Sequence, residues 1–189
     1  SEFTSRMWIY DIDTDAWTEV DQGATRPPAV EDGQLLTYDA SVDRLILYVI
    51  IDDGYGYPPT YSTWEFDIRA GRWERHISKT LELTHQGFGW APTGEELVYD
   101  ETNRVSVFFS WDGVRTYDAS EHRWSESELS TVRLYADDFL RGGGAVPPTT
   151  YDPVNERIVV MVGDNYAWPG VIAYDVATRE WTTLLEPTH

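Results

Sequence analysis

A few groups of residues have the types and spacing that chemistry requires. Asp11-Ile12-Asp13-Thr14-Asp15 begins like a calcium loop, in which carboxylates at alternate places supply oxygen ligands. Such a loop also needs glycine at its sixth place and glutamate at its twelfth, where Ala16 and Gln22 stand. The segment therefore reads as a turn. The histidines are His76, His85, His122 and His189, and none pairs with another at the i+2, i+3 or i+4 spacings of local ligand motifs. No metal site is expected on that ground, and no cofactor. Arg141-Gly142-Gly143-Gly144 lacks the following Gly-Lys-Ser/Thr of a phosphate loop and the spaced glycines of a dinucleotide loop, so it reads as entry to a strand. Cysteine is absent, which removes thiolate ligands, thiol nucleophiles and disulfides together.

Composition narrows the classes further. The 189 residues suffice for one domain with a substantial core, and nine Trp and twelve Tyr favour many short strands over helices. The formal charge is −19, and Lys79 is the sole lysine. Such a surface repels phosphate backbones, so no nucleic-acid partner is expected. No run of residues is apolar for long enough to span a membrane as a helix, and no membrane partner is expected. Ser1-Glu2-Phe3 reads as a cloning remnant, and the compartment is left open between secreted and cytoplasmic.

The elements that must position any site are legible from a repeat. YDIDTDAW at 10–17, FDIRAGRW at 66–73, YDASEHRW at 117–124 and YDVATREW at 174–181 place an aspartate and a tryptophan six apart. Asp11, Asp67, Asp118 and Asp175 follow one another at intervals of 56, 51 and 57 residues. A second signature interleaves in three copies, LLTYDASVDRLILYVI at 35–50, ELVYDETNRVSVFF at 96–109 and PTTYDPVNERIVVMV at 148–162. Each has Tyr-Asp, a polar turn, an arginine and an apolar run. Arg44 and Arg157 lie five residues after their aspartates but Arg104 only four after Asp100, so that turn reads as one residue shorter. Each unit predicts four short strands: one ending at Tyr-Asp, a nearly continuous apolar strand buried on both faces, a third ending in the aromatic-Asp pair, and a fourth beginning at the tryptophan. The aspartates are expected to start turns, and the tryptophans to fill seams between neighbouring sheets.

Repeats of about fifty residues with four strands each fit the blades of a β-propeller. On these motifs, covering about residues 7–185, the chain resembles the kelch-type repeats of the galactose oxidase-like propellers. It departs from them in lacking the usual glycine pair after the second strand, where Ile51-Asp52-Asp53, Ser110-Trp111-Asp112 and Gly163-Asp164-Asn165 stand. Galactose oxidase's own copper chemistry needs a cysteine-crosslinked tyrosine, which a chain without cysteine does not form.

The expected fold is thus all-β, a partial kelch-type propeller. Residues 4–189 form one such unit, with blade pieces at about 7–20, 27–77, 87–127 and 143–185. The first piece supplies only the outer two strands of a blade. Kelch-like propellers have six or seven blades, so the resemblance implies about half a ring, completed by further sequence or by another copy. An unpaired strand edge near Trp8–Ile12 invites such partners.

The kelch layout gathers two sets of loops on one face. There Asp53, Tyr55, Tyr57, Trp90, Trp111, Asp112, Tyr135, Tyr166 and Trp168 interleave aromatics with carboxylates. That mixture suits stacking on sugar rings or capture of a basic peptide. The implied function is a non-catalytic binding or scaffold module with a protein or glycan ligand. The alternative is a carbohydrate-active hydrolase or lyase in which acids such as Asp112 and Asp164 act as acid and base.

Overall fold

Apolar and aromatic runs that lead into or out of an Asp-led turn form strands, and the described residues carry fourteen of them. The computed structural model describes residues 6–29, 34–51, 60–76, 96–110, 113–125, 148–162 and 170–186. Strands β1 (Trp8–Asp11) and β2 (Ala16–Glu19) pair as a two-stranded sheet. The first complete blade comprises β3 (Gln34–Asp39), β4 (Arg44–Ile51), β5 (Thr60–Asp67) and β6 (Arg72–His76). The second comprises β7 (Glu96–Asp100), β8 (Val105–Ser110), β9 (Gly113–Asp118) and β10 (Arg123–Trp124). The third comprises β11 (Thr149–Asp152), β12 (Arg157–Val162), β13 (Gly170–Asp175) and β14 (Glu180–Leu185). Every pairing is antiparallel and joins neighbours in chain order. The chain is an all-β partial propeller.

Seven hairpin turns lie wholly among the described residues, and one plan serves these seven. Asp11, Asp39, Asp67, Asp100, Asp118, Asp152 and Asp175 each end a strand, and each accepts a backbone N–H from two or three residues ahead. The carboxylate thus satisfies donors that the reversing chain leaves free. Four residues after each aspartate the backbone turns left-handed, at Asp15, Asp43, Gly71, Arg104, His122, Glu156 and Arg179, with φ between 51 and 62°. A single residue in that conformation lets a short loop rejoin the sheet.

This plan corrects the expectation of a shorter turn after Asp100. Asp39 faces Arg44, Asp100 faces Val105 and Asp152 faces Arg157, so the three turns are equal in length. Arg104 holds the left-handed place, and Val105 stands where the other two blades have their arginine.

The core lies in the seams between sheets. Leu47, Val49, Trp64, Phe66 and Trp73 of the first blade pack against Met7 and Val20 beside the β1–β2 pair. The opposite face of that blade, with Ile46 and Tyr48, meets Leu97, Phe108, Tyr117 and Trp124 of the second. Val107 and Val114 of the second then meet Ile158, Val160, Ile172 and Tyr174 of the third. Strand β4 is therefore buried on both faces, as its continuous apolar run requires.

Candidate functional site

The aromatic-Trp pair has one internal geometry in all four copies. Tyr10–Trp17, Phe66–Trp73, Tyr117–Trp124 and Tyr174–Trp181 are cross-strand partners with ring centroids 4.8–5.1 Å apart and planes tilted by 40–53°. Three of these pairs face the preceding sheet. Trp73 donates its Nε1–H to Gln22 Oε1 at 2.9 Å, and Trp124 donates to Thr63 Oγ1 at 2.8 Å. Trp181 packs edge-on against Phe109, 5.7 Å between centroids. The fourth pair has no preceding sheet among the described residues, so Trp17 is 65% exposed where Trp73 and Trp124 are 6% and 2%. Trp8 and Tyr10 share that face and are exposed too. The expectation that every such tryptophan fills a seam therefore fails at Trp17.

The second signature shows the same asymmetry nearer the inner strands. Tyr99 accepts a hydrogen bond from Ser41 N of the preceding blade's inner turn at 3.2 Å, and Tyr151 reaches Thr102 Oγ1 at 2.7 Å. These tyrosines tie each blade to the one before it. Tyr38 is their counterpart on β3, but the β1–β2 sheet has no inner hairpin among the described residues. Its hydroxyl donates back to Asp43 of its own turn at 2.9 Å, and Tyr38 and Leu36 stay exposed.

A buried polar cluster occupies the seam between the first and second blades. Its centre is Glu65 on β5, 1% exposed. Tyr117 of β9 donates its hydroxyl to Glu65 Oε1 at 2.6 Å, and His122 Nδ1 lies 2.9 Å from the same oxygen. Arg44 at the start of β4 donates to Oε2. His76 at the end of β6 points Nε2 at Oε2 from 3.6 Å, and that nitrogen is buried without a hydrogen-bond partner. The rings of His76 and His122 stack with centroids 4.1 Å apart and planes 3° from parallel.

Electrostatics in this cluster follow from burial and partners. Burial opposes the charge on Glu65, yet bonds from Tyr117, His122 and Arg44 outweigh it and hold the carboxyl below its ordinary value. Burial, and then the bond to Glu65, push the Tyr117 phenol far upward. His76 is lowered by burial, which the nearby Glu65 charge only partly offsets. At neutral pH the cluster thus presents a carboxylate and a neutral imidazole. Glu65, His76 and His122 each offer one ligand atom, and these atoms lie within 4.8 Å of one another.

None of these three residues belongs to the repeat. The positions equivalent to Glu65 hold Ile9, Thr116 and Ala173, and those equivalent to His122 hold Asp15, Gly71 and Arg179. Local ligand spacings do not show the cluster, because 57 residues separate Glu65 from His122. The departure from the repeat was the available signal. Asp11, Asp13 and Asp15 sit in an ordinary turn, with Thr14 N on Asp11 Oδ1 and the Tyr10 hydroxyl on Asp15. Asp53, Tyr55, Tyr57, Trp90, Trp111, Asp112, Tyr135, Tyr166 and Trp168, with Asp164 and the Arg141–Gly144 run, lie outside the described residues.

No family model matches the sequence. No curated protein matches it either. Among solved structures, the chain is similar to TolB from Acinetobacter baumannii, a β-propeller, with a TM-score of 0.52 and 10% sequence identity. The match covers 94% of this chain and 37% of that one. At this identity the likeness speaks for the fold alone, and it is the fold of part of a larger propeller.

Proposed function

We propose that this chain is a non-catalytic binding and scaffold module of the β-propeller class, kelch-like in its repeat, that acts by joining further blades. One observation carries this reading. The same aromatic-Trp pair that is buried under a preceding sheet at Phe66–Trp73 and Tyr117–Trp124 lies open at Tyr10–Trp17. Leu36 and Tyr38 add to it, since both are exposed on the side where the later blades meet the inner hairpin of the blade before. Exposed aromatics clustered on one sheet face are a recognition surface, and their shape here is the one that this fold uses to seat another blade.

A second copy of the chain carries a matching surface. The far face of the third blade presents Met161 and Leu185 to solvent, on the side opposite the buried Val160 and Tyr174. Joining that face to the Trp8–Tyr10–Trp17 face of the next copy is a head-to-tail contact, the kind that closes rings. The test is complementation between faces. Trp17→Glu and Met161→Glu are each expected to be monomeric in sedimentation velocity, and an equimolar mixture of the two to form a dimer through the one intact pair of faces. Variants that associate as wild type does, or a mixture that stays monomeric while wild type dimerises, would contradict the head-to-tail reading.

A further inference from the structure

We infer that Glu65, His76 and His122 form a binding site for a divalent transition-metal ion of the zinc type, bridging the first and second blades. Two imidazoles and a carboxylate are the donor set that such borderline ions select, and three protein donors leave a coordination position for water or a ligand. The donors come from β5, from the end of β6 and from the turn before β10, so the ion would tie two sheets at their seam. His76 Nε2 supplies the second argument. A buried ring nitrogen without a partner is costly, and an ion is the partner that its position beside Glu65 would suit. The repeat explains none of the three residues, whereas it explains the aspartates and tryptophans around them.

The geometry also says what must move. A metal lies close to the plane of each imidazole that binds it, and two rings stacked in parallel cannot both meet that condition. His122 is the more exposed of the pair, with a side chain 40% accessible against 14% for His76, so His122 is the ring that turns. Its Nδ1, which faces Glu65 Oε1, must present a lone pair, and binding then releases any proton held there. Arg44 contacts Glu65 Oε2 and therefore competes with the ion for the carboxylate.

That competition separates this inference from a purely structural cluster. Calorimetric titration with zinc chloride at about pH 7.5, with calcium chloride as the control, should show one zinc site per chain. His76→Ala and His122→Ala should each weaken zinc binding by more than about tenfold, and Arg44→Gln should tighten it several-fold. Calcium binding, which the abundant surface carboxylates can supply, should be the same in all four proteins. His122→Ala removes a part-exposed side chain, and Arg44→Gln reads as a gain, so a folding defect in His76→Ala would not blur the result. Zinc binding that is absent from wild type, or unchanged in both histidine variants, would overturn the site. So would Arg44→Gln that weakens zinc as much as the histidine variants do.

Discussion

At the scale of single residues, most of the repeated chemistry serves turns. Each of the seven Asp-led turns uses an aspartate to accept backbone N–H groups and places one residue in the left-handed region, and only one of those seven is glycine. Gly71→Ala should destabilise the protein by about 1 kcal/mol. A Cβ there would meet only Asp21 O at 3.8 Å, so the cost is conformational rather than steric. Arg179→Gly should act the other way and by less, because glycine relieves the strain but gains freedom in the unfolded chain. Urea denaturation of the two variants checks both signs. The Glu65 cluster sets a pH dependence. His76 and Glu65 both have lowered folded values, so the unfolded chain binds more protons as pH falls. Their contribution to stability is present at neutral pH, begins to fade below the ordinary imidazole value of 6.5, and fades further below the ordinary glutamate value of 4.5. Denaturation midpoints measured in metal-free buffer from about pH 7.5 to 4 should fall with that sign, and His76→Gln should flatten the upper part of the fall. The aspartates were legible in the sequence because they recur. Glu65, His76 and His122 were not, because they meet only through the stacking of two blades.

At the scale of elements, one tryptophan does the same job in every complete blade, and its worth depends on what covers it. Trp124 touches Tyr48, Phe108 and Tyr117 and donates to Thr63, whereas Trp17 touches Tyr10 and faces solvent. Trp124→Ala should cost about 3–5 kcal/mol through the cavity it leaves. Trp17→Ala should change the stability of the isolated chain by less than about 1 kcal/mol, as is usual at open positions. Thermal unfolding of the two variants at low protein concentration gives the comparison directly. The succession of four strands per blade was readable in advance, because the two signatures alternate along the chain in a constant order. The turn after Asp100 was misread because arginine moved one place, from the strand start to the left-handed position, while the backbone kept its plan. Residue identity drifted there and geometry did not.

At the scale of the whole molecule, three blades and the outer pair of a fourth leave two unlike faces. One is aromatic, at Trp8, Tyr10 and Trp17, and the other carries Met161 and Leu185. The four-copy repeat made the partial ring legible, since only its first unit lacked the Tyr-Asp-turn-Arg signature. Which aromatic residues stay open was less so, because the same motif is core or surface according to whether a sheet precedes it. The proposed seating of another copy's blade on the open face is tested most directly by the molar mass of the wild-type chain in solution. Sedimentation equilibrium across a hundredfold range of concentration should show mass rising from the 21.7 kDa of one chain to a whole multiple of it. A mass that stays at one chain throughout that range, with Trp17 still open to an added quencher, would contradict it.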